Sequence, residues 1–219
     1  MRLIIKFPTR GRSNKFLYIL KKYIDLLDDK STKIIVTCDD DDDDMKQEHV
    51  KEIISHYKNV KICFGNNKTK IDAVNADMEN IDFDIILLAS DDMIPQVRGY
   101  DTIIKTKMKN LYPDTDGVLW FNDGNQGDKL NTLCILGKKY YDRFGYIYNP
   151  EYISMWCDNE FMEVGNILGK QTYFNEVIIK HEHPDCGFGD RDEIHALNSK
   201  YDNHDRNVYN QRKLINFGI

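Results

Sequence analysis

Residues 84–95 read DIILLASDDMIP, and this stretch indicates the fold class. Its apolar run, residues 85–89, is too short to cross a membrane and too continuous for a strand with one face in water. A run of this kind is typical of a strand buried on both faces in a parallel sheet. Ser90, Asp91 and Asp92 follow at its carboxyl end, where open α/β sheets bind their ligands.

Two adjacent carboxylates at a strand end need compensation, because like charges repel each other. Carboxylate oxygens suit a hard divalent cation that also holds phosphate oxygens. The alternative is that Asp91 and Asp92 only cap the helix that follows, since aspartate is a favoured N-cap residue. The rest of the sequence bears on this choice.

The composition is that of an ordinary globular protein, with 219 residues of which 41% are hydrophobic and 30% charged. This length fits one α/β domain. The net charge of -6 argues against a nucleic-acid partner, but it is compatible with a local basic cleft for a nucleotide diphosphate. Five irregularly spaced cysteines indicate a reducing compartment and no disulfide framework.

The sequence contains no apolar run of the length that a transmembrane helix needs. Residues 1–7 are too few for a signal peptide. We therefore expect a cytoplasmic protein without a transmembrane segment, in the host cytoplasm if the source is a virus. A ligand that is itself bound to a membrane is still compatible with this expectation.

Hydrophobic periodicity predicts seven strands, at residues 3–7, 33–38, 60–64, 85–89, 117–121, 132–136 and 171–181. It predicts helices at residues 14–27, 45–57, 68–78, 101–110 and 158–168 and a short one ending at residue 144. Ser13 is the expected cap of the first helix. Strands and helices alternate up to residue 121, which predicts a parallel, doubly wound sheet; beyond it the sheet becomes mixed. The predicted fold class is a single α/β domain with a mostly parallel central sheet flanked by helices.

Common nucleotide and metal motifs are absent, namely GxxxxGKS, GxGxxG, HExxH and paired CxxC. A zinc site on His181, His183 and Cys186 would have an incomplete ligand set. Short motifs do follow the predicted strands in a defined order. They are PTRGR at 8–12, six aspartates at 39–44, KTKIDAVNAD at 68–77 and SDD at 90–92, then WCDNEF at 156–161 and HEHP at 181–184.

In this order the sequence resembles the inverting, nucleotide-sugar-dependent glycosyltransferases of the GT-A fold, especially the family 2-like members. Small stand-alone versions of these enzymes occur in bacteria and in large DNA viruses. The resemblance covers residues 3–183 and lies in the order of the motifs at strand ends. It implies a Rossmann-like GT-A domain with a nucleotide-sugar-binding half, residues 1–121, and an acceptor-binding half with a helical tail, residues 122–219.

The resemblance also implies which residues bind the donor. They are Pro8, Thr9, Arg10 and Arg12 after the first strand, one of Asp39, Asp40 and Asp41 at the uracil or ribose, Lys70 and Asn75 of the KxxAxN pattern, and Ser90 with Asp91. The alternatives are a surface arginine pair, a plain amphipathic helix and a solvated aspartate run at a helix start, the last preferred for residues 42–44.

A divalent cation, Mn2+ or Mg2+, is implied by the match of residues 90–92 to the DXD motif. Its expected ligands are Asp91, Asp92 and one of the late histidines, His181 or His183. The sequence departs from the usual pattern at Ala89, which stands where the first acid of that motif lies. This departure weakens the expected metal affinity.

Asp158 matches the catalytic base of inverting members, and Glu160 is its rival. Cys157 stands where many members have glutamate. Asp158 could instead cap the helix that it begins. On the acceptor side we expect the polar loop 122–131, with Asp123, and the aromatic segment 146–156, where Trp156 suits stacking on a sugar ring or a place in the core.

The function implied is that of a hexosyltransferase-like glycosyltransferase. It would move a sugar from a nucleotide-diphosphate donor, UDP-linked, to a hydroxyl of a glycan, lipid or protein, with inversion and with a metal. Three alternatives stay open: a sugar-phosphate nucleotidyltransferase, whose glycine-rich first loop is missing here, a retaining transferase, and a non-catalytic nucleotide- or sugar-binding protein on the same fold.

Overall fold

A seven-stranded sheet forms the centre of the computed structural model, which describes residues 1–182 and 199–219. Its strands are β1 (Leu3–Pro8), β2 (Lys33–Asp39), β3 (Val60–Gly65), β4 (Ile85–Leu88), β6 (Val118–Phe121), β7 (Ile135–Gly137) and β8 (Gln171–Phe174). A separate two-stranded sheet pairs β5 (Met93–Pro95) with β9 (Ile179–His181). The helices are α1 (Ser13–Leu26), α2 (Glu48–Ser55), α3 (Lys70–Asn75), α4 (Tyr100–Leu111), α5 (Lys138–Phe144), α6 (Cys157–Ile167) and α7 (Asp202–Leu214), followed by a 3-10 turn, Asn216–Gly218.

The strand order in the large sheet is β3-β2-β1-β4-β7-β6-β8. Strands β1 to β4 run parallel to one another, and only β7 is antiparallel to its neighbours β4 and β6. Strand β8 returns parallel to β6. The predicted fold class, a mixed and mostly parallel sheet flanked by helices, is therefore confirmed.

Both faces of the sheet are covered, which explains the continuous apolar runs. Ile85 and Leu87 point into a core shared with α1, α2 and α4, whereas Ile86 and Leu88 point into a core shared with α3, α5 and α6. Alternate residues of one strand face opposite sides, so a strand buried on both sides needs apolar residues at every position. Within residues 1–182 and 199–219, no helix is both long and apolar enough to cross a membrane.

One predicted strand is divided in the structure, and one observed strand was not predicted. Residues 171–181 form two strands in different sheets, β8 and β9, separated by the exposed residues Asn175 and Glu176. Strand β5, which follows Asp92 at once, was not predicted, because three residues beside Pro95 carry no readable periodicity. The pairing of β5 with β9 brings residues 179–181 next to the SDD motif.

The aspartate run also differs from the expectation of a solvated helix start, because α2 begins only at Glu48. Asp42 is buried and accepts hydrogen bonds from the backbone N–H of Gly11 at 2.8 Å and of Met45 at 3.1 Å. Ser13 is the first residue of α1 and Arg12 is at the N-cap position, so the predicted cap at Ser13 is wrong. The N–H of Ser13 donates to Asp44 at 2.6 Å. The run therefore folds as turns that hold the loop between β1 and α1.

Asp101 links α4 to the end of α1, and its removal tests this account of the fold. Its buried carboxylate accepts from the N–H of Asp28 and of Asp29, each at 3.0 Å. Replacing it by alanine leaves two donors unsatisfied, so we expect Asp101→Ala to lower the free energy of unfolding by about 3 kcal/mol in urea denaturation. Asp25→Ala removes only an exposed pair with Lys21 and should change it by less than about 0.5 kcal/mol. Equal midpoints for the two variants would contradict the role of Asp101.

Candidate functional site

The carboxyl ends of β1, β2, β3 and β4 meet at one edge of the sheet, where they bring together several predicted donor residues. Arg10 binds Asp41 through two hydrogen bonds, of 2.6 and 3.0 Å, and also contacts Asp39. Asn67, which follows β3, donates to Asp39 at 3.0 Å. Asp40 is exposed and faces Lys46 only with its backbone carbonyl.

Thr9 carries an orphaned polar atom at this edge. Its hydroxyl is buried and has no hydrogen-bond partner among residues 1–182 and 199–219, while its N–H donates to Thr37 at 3.0 Å. Pro8, the last residue of β1, lies directly before it. A buried hydroxyl without a partner among the described residues suits a bound polar ligand or water.

Asp91 lies buried between two cations. Its carboxylate is 3.0 Å from the Arg12 guanidinium and 3.5 Å from the Lys15 ammonium. The neighbouring Ser90 hydroxyl donates to Asp92 rather than to Asp91. The two adjacent carboxylates thus point to different partners, which relieves their repulsion.

His181 lies between two carboxylates because β9 pairs with β5. Met93 is the register partner of His181, and the N–H of Glu182 donates to the Asp92 carbonyl at 2.7 Å. The His181 Nε2 is 3.5 Å from the Asp92 carboxylate, and Nδ1 is 3.7 Å from that of Asp123. The cluster therefore joins the SDD motif, β9 and the loop after β6.

The charges in this cluster stabilise one another. Burial disfavours the imidazolium, but Asp123 and Asp92 outweigh it and raise the pKa of His181 to about 9. Burial would raise the pKa of Asp92, yet His181, the Ser90 hydroxyl and Lys70 together hold it below its ordinary value. Without a further ligand, the histidine is therefore protonated at neutral pH and both carboxylates are ionised.

Asp123 organises the loop that the sequence assigned to the acceptor side. Its carboxylate accepts from the N–H of Asn125 at 2.8 Å, the N–H of Gln126 at 2.7 Å and the hydroxyl of Thr132 at 2.7 Å. These bonds and His181 hold its pKa low against the effect of burial. Asp123 thus connects the shape of loop 122–131 to the position of His181.

The donor atoms of Asp92 and His181 suit a divalent cation that a diphosphate helps to hold. A carboxylate oxygen and an imidazole nitrogen 3.5 Å apart are ligands that Mn2+ accepts. The part of the chain that the structure describes has no group of three or more His, Cys, Asp or Glu side chains placed to hold a metal, so phosphate and water would complete such a site. His183 lies outside the described residues, and Asp91 is engaged with Arg12 and Lys15.

Asp158 is the second residue of α6, and the charges of this cluster act on it. It is half-buried, and burial raises its pKa, whereas the positive charges of Lys70 and His181 act to lower it. Lys70 is exposed at the start of α3, and its charge also acts on Asp92. Asp92, His181, Lys70 and Asp158 are called the charge cluster below.

Glu160 is engaged elsewhere. It is buried, accepts from the Tyr152 hydroxyl at 2.7 Å, and forms two bonds with the Arg212 guanidinium, of 2.8 and 3.0 Å. Both of its oxygens therefore have partners within the protein. Of the two predicted carboxylates, it is Asp158 on which the charges of Lys70 and His181 act.

Two other predicted residues make contacts within the protein. The Asn75 amide accepts from the N–H of Ile147 at 2.9 Å and donates to the carbonyl of Tyr148 at 2.7 Å. The Trp156 indole donates to Asp202 at 2.8 Å and packs on Tyr209. Trp156 also has a φ of 62°, a left-handed conformation that costs on the order of 1–3 kcal/mol in a non-glycine residue.

Sequence patterns missed Lys15, Asn67, Asp205 and Arg212. Asn67 was visible only as part of a polar loop after the third strand. Arg212 contacts Glu160 across 52 residues, and Asp205 contacts Ser154 across 51. A spacing of this kind leaves no local signal in the sequence.

Comparison with solved structures identifies proteins that share this fold. No protein-family model and no curated protein sequence matches the chain. TarS 1-349 of S. aureus is similar with a TM-score of 0.63 and 13% identity, covering 83% of this chain and 60% of that structure. The chain has the GT-A glycosyltransferase fold.

Two further structures share this GT-A fold. The mannosyltransferase PcManGT from Pyrobaculum calidifontis, in complex with GDP-Man and Mn2+, has a TM-score of 0.63 and 13% identity over 85% of this chain and 58% of its own. TarS 1-349 in complex with UDP has a TM-score of 0.63 and 13% identity, covering 82% and 60%. The chain thus spans less than two thirds of the length of these GT-A structures.

The charges around His181 predict how stability depends on pH. Its pKa is about 9 in the folded chain and about 6.5 when unfolded, so its stabilising effect is complete below pH 6.5 and is lost as the pH rises through 9. In the presence of EDTA, we expect the advantage of the wild type over His181→Gln in unfolding free energy to shrink by on the order of 3 kcal/mol between pH 6 and pH 9.5.

The exposed His49 on α2 gives the matched control. The unfolding free energy of His49→Gln should follow that of the wild type over the same pH range, because His49 is exposed and does not pair with Asp92 or Asp123. If His181→Gln also ran parallel to the wild type, the ion pairs with Asp92 and Asp123 would contribute nothing to stability.

Proposed function

We propose that this chain transfers a sugar from a UDP-linked donor to an acceptor hydroxyl with inversion. The observation that carries the proposal is the charge cluster on a GT-A fold, in which the positive charges of Lys70 and His181 act on the half-buried Asp158. Its supporting context is that the similar structures include TarS with UDP and with UDP-GlcNAc and a mannosyltransferase with GDP-Man.

The nucleotide would lie across the ends of β1, β2 and β3. Asp39 and Asn67 offer an acceptor and a donor for the base or ribose, and Arg10 holds Asp39 in place. The orphaned Thr9 hydroxyl lies at the same edge. Arg12 and Lys15 beside Asp91 provide positive charge where the diphosphate would follow.

Asp92 and His181 would hold the divalent cation, with His181 losing its proton. When bound, the cation supplies charge neutralisation on the leaving diphosphate. Lys70 adds a positive charge on the side of Asp158. The charge that develops on the leaving group thus meets fixed positive groups that need little reorganisation.

Asp158 would act as general base. It takes the proton of the acceptor hydroxyl while that oxygen forms a bond to the anomeric carbon, and the bond from this carbon to the diphosphate breaks on the opposite face. Burial raises the pKa of Asp158 toward the operating pH, which strengthens a carboxylate as a base. Loop 122–131 and segment 146–156 would contact the acceptor, whether a glycan, a lipid or a protein.

Ligand-dependent unfolding tests the donor site. We expect UDP with Mn2+ to raise the midpoint by a few degrees more than GDP or CMP, since a ligand at about 100 times its Kd stabilises by roughly 2.7 kcal/mol. In Asp92→Asn the part of the shift that depends on Mn2+ should disappear. Asp43→Asn, an exposed change in the aspartate run, should respond as the wild type does. No shift with any nucleotide would contradict the proposal.

Replacement of the base separates catalysis from binding. We expect Asp158→Asn to slow UDP release from UDP-GlcNAc or UDP-glucose by at least about 100-fold, the range of a lost general base, while UDP affinity stays within about twofold. Glu163→Gln, the same change elsewhere on α6, should keep the wild-type rate. A wild-type rate in Asp158→Asn would show that Asp158 is not the base. A wild-type chain that binds UDP but turns over no donor would be a non-catalytic binding protein.

A further inference from the structure

Asp205 is a fully buried carboxylate in the first turn of α7. Its two oxygens accept hydrogen bonds from three consecutive backbone N–H groups, those of Ile153 at 3.0 Å, Ser154 at 2.8 Å and Met155 at 2.7 Å. Hydrogen bonds to an ionised acceptor are the strong ones, and removing a buried acceptor leaves its donors unsatisfied. Asp205 therefore fixes the path of residues 153–155.

This segment leads directly to the proposed base. Trp156 follows it in a left-handed conformation with a φ of 62°, and α6 begins at the next residue with Cys157 and Asp158. A backbone conformation that is rare for a non-glycine residue persists only where the surroundings impose it. The hydrogen bonds to Asp205 fix residues 153–155, which directly precede Trp156.

Residues 153–155 also contact helix α3, which begins with Lys70 of the charge cluster. The carbonyl of Ile153 accepts from the N–H of Ile71 at 3.3 Å. Ile71 follows Lys70 at the start of α3, so the segment lies between Asp205 and the lysine that acts on Asp158. A shift of residues 153–155 would therefore move the base relative to its neighbouring cation.

Helix α7 also contacts the chain after the base. Arg212 binds both oxygens of Glu160, two residues beyond Asp158, and reaches Glu151 at 2.6 Å. Asp202, at the start of the same helix, accepts from the Trp156 indole at 2.8 Å. One helix thus holds the backbone before Asp158 and the side chain after it.

We propose that Asp205 is a positioning residue for Asp158, through which α7 holds the segment that precedes the base. This inference rests on the function proposed above. Asp205 contributes to the chemical step and not to nucleotide binding, because all three of its backbone partners lie in residues 153–155. The nucleotide would lie on the ends of β1, β2 and β3.

The test compares Asp205→Asn with the wild type in the full chain. The amide keeps the shape but loses the charge and one acceptor oxygen, so hydrogen exchange at the amides of residues 153–155 should become faster. We expect kcat for UDP release from the donor to fall at least about tenfold, since a misplacement of about 1 Å can cost on the order of 100-fold. The Kd for UDP should stay within about twofold.

Two further variants complete the experiment. Asn207→Ala, a change at an exposed position of α7, should leave both kcat and Kd at wild-type values. Asp205→Glu keeps the charge and moves the carboxylate by one methylene, and it should lower kcat with the same split from Kd. It also serves in place of Asp205→Asn if that variant does not fold.

The outcomes separate the two proposals. Faster exchange at residues 153–155 with an unchanged kcat would overturn the positioning role, and so would a loss of kcat that is matched by an equal loss of UDP affinity. If the wild type turns over no donor, the transferase proposal fails by itself. The exchange of residues 153–155 in Asp205→Asn then still shows whether Asp205 holds the segment, and unchanged exchange would overturn that contact.

Discussion

Asp91 and Asp123 are buried and Asp92 is half-buried at the carboxyl edge of the sheet, and the repulsion among these three carboxylates must be compensated there. The cations that pair with them come from three elements: Arg12 from the turn after β1, Lys15 from α1 and His181 from β9. Compensation therefore holds these three elements at the edge of the sheet. An edge that concentrates charge in this way is suited to a charged ligand, because fixed opposite charges replace water around it.

The sequence predicted the elements whose patterns are local. Strands β1 to β4 have apolar residues at consecutive positions, and parallel strands must bring their carboxyl ends to one edge, so Arg10, Asp39 and Asp92 were expected near one another. The sequence did not predict strand β5 or the division of residues 171–181 into β8 and β9. The reason is that β5 pairs with β9, which is a contact across more than 80 residues. The aspartate run escaped for another reason: carboxylates that bind backbone N–H groups look in sequence like solvated ones.

The choice between Asp158 and Glu160 shows where a sequence argument ends. Both lie in the first turn of a predicted helix. Side chains two positions apart on a helix point in nearly opposite directions, about 160° from each other. Only one of them can face a given site. Which one does so depends on Arg212, a residue 52 positions away that binds Glu160. The information lies in the tertiary structure and not in the motif.

Helix α7 follows every other part of the site in the chain, and this order has a consequence for synthesis on the ribosome. Strands β1 to β4 and the donor edge emerge and can pair first, since chains are made from the N-terminus. The amides of residues 153–155 meet their carboxylate only when Asp205 emerges. Under the role proposed for Asp205, a nascent chain would gain affinity for nucleotide before it gained the ability to use it.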